Sequence, residues 1–132
     1  METVFQMMQK DRFAGYNQIE LLEVGEGTAK ARMVVTETHL NGIGTVQGGA
    51  LFTLADLAFA AASNSRGKVA VALDANINFI KAVSSGTLIA TALEVDLKRT
   101  VGVYRVEIRN GENELIAVFQ ATAYRKEPKP IA

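Results

Sequence analysis

Gln47-Gly48-Gly49-Ala50-Leu51-Phe52-Thr53-Leu54-Ala55-Asp56-Leu57-Ala58-Phe59-Ala60-Ala61-Ala62-Ser63-Asn64-Ser65 is the stretch on which the fold turns. Leu51, Phe52, Leu54, Leu57 and Phe59 cover more than one helical face, and alanines fill most of the remainder. A helix that is apolar nearly all round is a buried one. The stretch therefore predicts one long helix inside the protein, with Gly67 where a C-terminal cap belongs. Something must wrap it. C-terminal to it, residues 69–79, 87–97, 101–109 and 115–125 alternate apolar with other residues, the period of strands. Val69, Val71, Leu73, Ala75, Ile77 and Phe79 read as one face of the first of these. Asn110-Gly111 marks a hairpin between the last two. N-terminal to the helix, residues 16–24 and 28–35 read as strands joined at Gly25-Glu26-Gly27, preceded by a short amphipathic helix over 2–13. The order predicts an α+β domain spanning 1–132, an antiparallel sheet curled around a central helix. The tail, 127–132, holds both prolines and is expected to be loose. One sheet edge would stay unpaired and one face thinly covered, so pairing with a second copy is expected.

Composition removes several function classes. The 132 residues are 48% hydrophobic and 21% charged, enough for one core and too short for two ordinary domains. Lys+Arg and Asp+Glu number 14 each, a balance that argues against nucleic-acid binding. Absence of cysteine excludes disulfides, thiolate nucleophiles and cysteine-ligated metals, and a single histidine, His39, excludes a multi-histidine metal site within one chain. No metal or redox cofactor is implied. No secretory signal is visible at the start, and the apolar run over 50–62, broken by Thr53 and Asp56, is too short for a bilayer. The expected setting is soluble and cytoplasmic, with no membrane partner.

Between Leu40 and Ser65 the sole carboxylate is Asp56, in the middle of the apolar helix. A carboxylate there is costly unless it is paired, hydrogen-bonded or used. It is either a structural aspartate bonded to a strand or facing a wet crevice, or a functional group. Gly48 and Gly49 open the same helix with backbone N–H groups that lack intrahelical partners and no side chains to keep a ligand away. They serve either close packing or an oxyanion. Gly48 and Asp56 are eight residues apart, about 12 Å along a helix. A donor and a base acting on one carbon must both come within roughly 3 Å of their reacting atoms. One helix cannot supply both, so if both are catalytic the site is shared between two subunits. Other plans fail by inventory: the chain has no nucleophile elbow, phosphate loop or dinucleotide fingerprint. His39 reads as a polar residue at a loop edge rather than a base.

His39-Leu40-Asn41-Gly42-Ile43-Gly44-Thr45-Val46-Gln47-Gly48-Gly49, followed by Leu51-Phe52-Thr53-Leu54-Ala55-Asp56, resembles the hot-dog-fold acyl-CoA thioesterases, most closely their phenylacetate-degradation (PaaI-type) branch. Further similarity runs through Ala58-Phe59-Ala60, Ser63-Asn64-Ser65, Asn78-Phe79 and Thr100-Val101-Gly102-Val103-Tyr104, over roughly residues 15–126. The resemblance implies a hot-dog fold, a homodimer and often a homotetramer. It implies Asp56 as general base or nucleophile, Gly48 N–H as the donor that polarises the thioester carbonyl, and Asn41 as a group placing water or carboxylate. Gln47 stands where the family has histidine; glutamine can orient a carbonyl or water but cannot shuttle a proton near neutral pH. Ala72 lies on a strand where certain relatives carry a hydroxyl.

CoA phosphates need positive or N–H donors. The regions that border the CoA entrance in the family hold Lys81 and, at the next turn but one, Lys98, Arg99 and Thr100, which are expected to form a phosphate grip. The implied activity is hydrolysis of an acyl-CoA to a carboxylic acid and free CoA, its acyl group aromatic or medium-chain. A catalytically weak acyl-CoA-binding module is the alternative that Gln47 and Ala72 motivate. A hot-dog dehydratase ranks third, and an acyl-carrier-protein donor also fits.

Overall fold

The computed structural model describes residues 2–126. It contains α1 (Val4–Met8), α2 (Arg12–Tyr16), β1 (Ile19–Gly25), β2 (Thr28–Val34), a 3-10 turn (Glu37–His39), α3 (Gly48–Ser63), β3 (Ala70–Phe79), β4 (Thr87–Leu97), β5 (Val101–Arg109) and β6 (Leu115–Arg125). All six strands form one antiparallel sheet in the order β1-β2-β4-β5-β6-β3. The sheet curls around α3, which packs against every strand. This is the α+β sheet curled around a helix that the alternating patterns and the apolar run predict, and the hot-dog architecture that the resemblance implies.

The core lies between the inner sheet face and α3. Ala29, Ala31, Ala90 and Ala92 on β2 and β4 are fully buried, small residues that leave room for the helix side chains. Tyr104 on β5 and Phe119 on β6 fill the other side. The buried Phe59 meets Tyr104 edge-on at 5.7 Å, and the half-buried Phe52 packs on Phe119 at 5.2 Å. Each large side chain so buried contributes about 1.5–3 kcal/mol. At the C-terminal end of α3, Asn64 donates to the carbonyls of Ala60 (2.8 Å) and Ala70 (3.3 Å) and accepts from Ala70 N–H (2.9 Å), which fastens the helix to the start of β3.

Four local expectations are corrected. The N-terminal helix is two helices, because Asp11 takes an extended conformation and its carboxylate accepts from Ala14 N–H at 3.0 Å, starting a second helix that continues through Gly15. The first strand begins at Ile19, since Gln18, at φ 59°, turns the chain first. The hairpin at Asn110 is present, but its loop is closed by Asn110 Oδ1 accepting from Glu112 and Glu114 N–H, and the left-handed residue is Asn113, not Gly111. The face assigned to β3 does not hold. A bulge between Ala72 and Asp74 inserts Leu73, so alternation changes sides there: Ala75 and Ile77 face inward while Val71 and Leu73 are exposed. The tail at 127–132 lies outside the described residues.

The two edges of the sheet differ. β1 is short, bulged between Leu21 and Glu23, and acidic through Glu20 and Glu23. β3 is ten residues long, with exposed Val71, Leu73 and Phe79 and a single charge, Asp74.

Candidate active site

The N-terminus of α3 is built by its cap. Gln47 sits in extended conformation, its Oε1 accepting from Gly49 N–H at 2.7 Å and its own N–H donating to the His39 carbonyl at 2.8 Å. That leaves the Gly48 N–H accepted by no described residue. A Cβ at Gly48 would lie 2.9 Å from Cζ of Phe79, closer than real contacts allow. Only glycine leaves the Phe79 ring where it lies, a close approach that the tertiary fold creates; any larger residue makes that exposed ring swing aside. Gly48 opens onto a cavity of about 380 Å³, walled by Val46, Leu51, Phe79, Ile80 and Val83, with Asn41 and Lys81 at its margin. Asn41 is committed within its loop: its Oδ1 accepts from Ile43 and Thr45 N–H, and its Nδ2 donates to Thr45 Oγ1 at 2.9 Å.

A second hollow, about 490 Å³, lies on the other side of the helix start, between α2 and α3. Gln47, Gly49 and Thr53 form one side and Phe13 the other. His39 forms part of its lining and is buried, not at an exposed loop edge. Its Nδ1 accepts the Thr36 N–H at 2.9 Å, so Nε2 carries the proton and donates to the Asn17 carbonyl at 2.6 Å. Both nitrogens are spent on structure. A larger hollow of about 650 Å³, between Gln9 and Tyr16, is a shallow feature of the α1–α2 elbow and shares no residue with α3.

Asp56 stands in the middle of α3, on the stripe Gly49, Phe52, Thr53, Asp56, Ala60 that the sheet does not fully cover. The carboxylate is half-buried, and none of the described residues donates to it. Burial, joined by the negative charge of Asp11, holds its carboxyl above the usual carboxylate range. Of the readings open from sequence, an aspartate bonded to a strand is without support among the described residues, whereas a carboxylate facing a crevice and a functional one both fit this placement. Because Gly48 and Asp56 share α3, they stay about 12 Å apart along it.

The phosphate grip is not assembled within one chain. Lys81 leaves β3 where its N–H donates to the Ile116 carbonyl, and its ammonium pairs with Glu114. The turn holding Lys98, Arg99 and Thr100 lies at the other end of β6, where Arg125 N–H donates to the Thr100 carbonyl at 2.8 Å and its guanidinium to the Lys98 carbonyl at 2.7 Å. Nine strand residues separate the two ends, roughly 30 Å. Lys98 itself pairs with Asp96 at 3.1 Å. Ala72 is exposed just before the β3 bulge. Sequence reading missed Phe79 against Gly48, Glu114 on Lys81 and Phe13 in one hollow with Gln47. Each joins distant segments and leaves no periodic signal.

Comparison with known proteins bears on the family and the fold. The model of the thioesterase superfamily matches residues 43–117, which span the loop, α3 and most of the sheet. The acyl-coenzyme A thioesterase PaaI of Escherichia coli K12 is 39% identical over 90% of this chain and 86% of its own length. The solved structure of the E. coli PaaI protein superposes with a TM-score of 0.87 at 38% identity, covering 92% of this chain and 88% of that one. A hypothetical thioesterase protein of Streptococcus pneumoniae, solved with coenzyme A, superposes with a TM-score of 0.85 at 25% identity, over 96% of this chain and 99% of that one. Sequence, fold and the glycine-opened helix bearing a lone carboxylate converge: this chain belongs to the thioesterase superfamily.

Proposed function

We propose that the protein hydrolyses acyl-CoA thioesters in active sites assembled between two copies of the chain. The observation that carries this reading is Asp56, a half-buried carboxylate with no described donor, on the helix whose first N–H, at Gly48, is unspent. An E. coli relative named acyl-coenzyme A thioesterase and a structural neighbour solved with coenzyme A support the choice of donor.

The 12 Å separation requires Gly48 from one protomer and Asp56 from its partner. β3 is the edge suited to that pairing. It is long and largely apolar, whereas the glutamates of β1 would repel their own copies. Antiparallel pairing of two β3 edges sets the Phe79 end of one against the Ala70 end of the other. Ala70 pairs with Arg125, beside the 98–100 turn. Lys81 would then approach the partner's Lys98, Arg99 and Thr100, so the grip that one chain leaves 30 Å apart is reunited across the dimer axis. The resemblance extends this to a homotetramer, in the cytoplasm.

Chemistry follows from the placement. Gly48 N–H donates to the thioester oxygen as it becomes an oxyanion. Asp56 takes a proton from water as the water oxygen bonds to the carbonyl carbon, with the one Asn41 amide N–H not used in its loop positioning the water. The C–S bond then breaks, and the proton on Asp56 passes to the leaving sulfur, giving carboxylic acid and CoA. A carboxylate held above its usual range is a better base for this step. Gln47 offers an amide N–H₂ that no described residue accepts, suited to orienting the acyl carbonyl but not to carrying a proton. The test is incubation with a panel of acyl-CoAs and a thiol reagent. CoA release from at least one substrate is expected, and tight binding of every substrate without release would sink the proposal.

A further inference from the structure

Two hollows flank the first turn of α3, one reached from Gly48 and the other from Gln47 and Gly49, and their linings differ in kind. The Gly48 cavity has an ammonium at its margin, Lys81. The Gln47 hollow has no ionised group: Phe13, Asn17, Thr38, His39, Leu40, Gln47, Gly49, Ala50 and Thr53 form it, and His39 holds a neutral tautomer through its two hydrogen bonds. Its aromatic wall is Phe13, 66% exposed on a helix held in place; Tyr16, more exposed still, lies outside this hollow. Asn17 donates to the Phe13 carbonyl at 2.7 Å, and the buried His39 donates to the Asn17 carbonyl at 2.6 Å. α2 is therefore bolted beside α3 with its phenyl ring left uncovered, facing the cap residue Gln47 across the hollow. Polar atoms on the opposite side are partly spent, since Thr53 donates to the Gly49 carbonyl at 2.7 Å.

Resting on the thioesterase reading, we propose that this hollow receives the acyl group, that Phe13 determines acyl selectivity, and that the acyl groups accepted are uncharged. The CoA arm leaves by way of the Gly48 cavity, where the ammonium lies. The thioester carbonyl sits between the two, at the start of α3. An exposed phenyl ring gains from covering by an apolar acyl chain, and the gain grows with chain length. A terminal carboxylate placed in the same hollow would lose its hydration and meet no cation.

CoA release is measured from acetyl-, hexanoyl- and adipyl-CoA, the last being hexanoyl-CoA with a carboxylate in place of its terminal methyl. Wild-type protein is expected to prefer hexanoyl- over adipyl-CoA by about a hundredfold in kcat/KM. Phe13→Ala is expected to lower the hexanoyl-to-acetyl ratio of kcat/KM about tenfold, and Phe13→Leu to restore most of it. An exposed position makes either change tolerable to the fold. An unchanged ratio in Phe13→Ala, or adipyl-CoA turned over as well as hexanoyl-CoA, would overturn the assignment while leaving thioester hydrolysis standing. Failure of the wild type to release CoA from these three and from an aromatic acyl-CoA alike would remove the thioesterase reading and this inference together.

Discussion

Replacing Asp56 by asparagine should make the protein more stable and nearly inactive. The carboxylate is half-buried without a described hydrogen-bond donor, and the neighbouring charge of Asp11 is of the same sign. Its native carboxyl is accordingly held above the usual value. Between the ordinary carboxylate value of 3.8 and the raised native one, the folded chain binds more protons than the unfolded chain. Stability therefore falls as pH rises through that window, and the penalty persists unchanged at neutral pH. An asparagine of the same shape has no charge to desolvate. Relief of this kind is typically about 1 kcal/mol. For 132 residues the unfolding entropy is about 0.3 kcal/mol/K, so Tm at pH 7 should rise by about 4 °C. The difference should vanish below the ordinary carboxylate value, where both side chains are neutral. Turnover should fall by about two to four orders of magnitude. Thermal melts from pH 3 to 8, run beside CoA-release assays, give both readouts. A lower Tm for Asp56→Asn at pH 7 would mean that the carboxylate holds a structural bond, and the argument for its catalytic use would fail.

Four further outcomes are expected. Gly48→Ala should cut kcat/KM at least tenfold with little change in Tm, since the added methyl meets Phe79, whose exposed ring can swing away into the cavity. Mixing Asp56→Asn with Gly48→Pro homodimers should regenerate activity after subunit exchange. Proline suits the first position of a helix, so circular dichroism should show Gly48→Pro folded, and exchange without recovery would refute a shared site. Lys98→Ala with Arg99→Ala should raise KM for acyl-CoA and flatten its salt dependence with kcat little changed, while an acyl-pantetheine thioester is unaffected. Tyr104→Phe should lower Tm by about 5–10 °C, because the buried hydroxyl donates to Glu94 at 2.9 Å and bonds to ionised acceptors contribute about 1.5–3 kcal/mol. The same burial and bond push the phenol up to about 12, so the loss should be constant across neutral pH.

Much of this protein is local, and what is local is legible in the chain. An apolar run with one carboxylate specified the buried helix, and alternation specified six strands, because each pattern reports which face of an element meets water. Loop and helix-start residues carried the family likeness, and the fixed rise of a helix was enough to separate Gly48 from Asp56. Tertiary structure decided everything that depends on which distant segments meet. It moved β3 across the sheet to pair with β6, and its bulge at Leu73 turned the assumed apolar face around, an event no alternation pattern announces. It set Phe79 against Gly48 and spent both nitrogens of His39 on Thr36 and Asn17. It also put Lys81 and the 98–100 turn at opposite ends of one strand. Periodicity encodes burial one element at a time, whereas pairing order, bulges and close contacts arise only when elements compete for the same core.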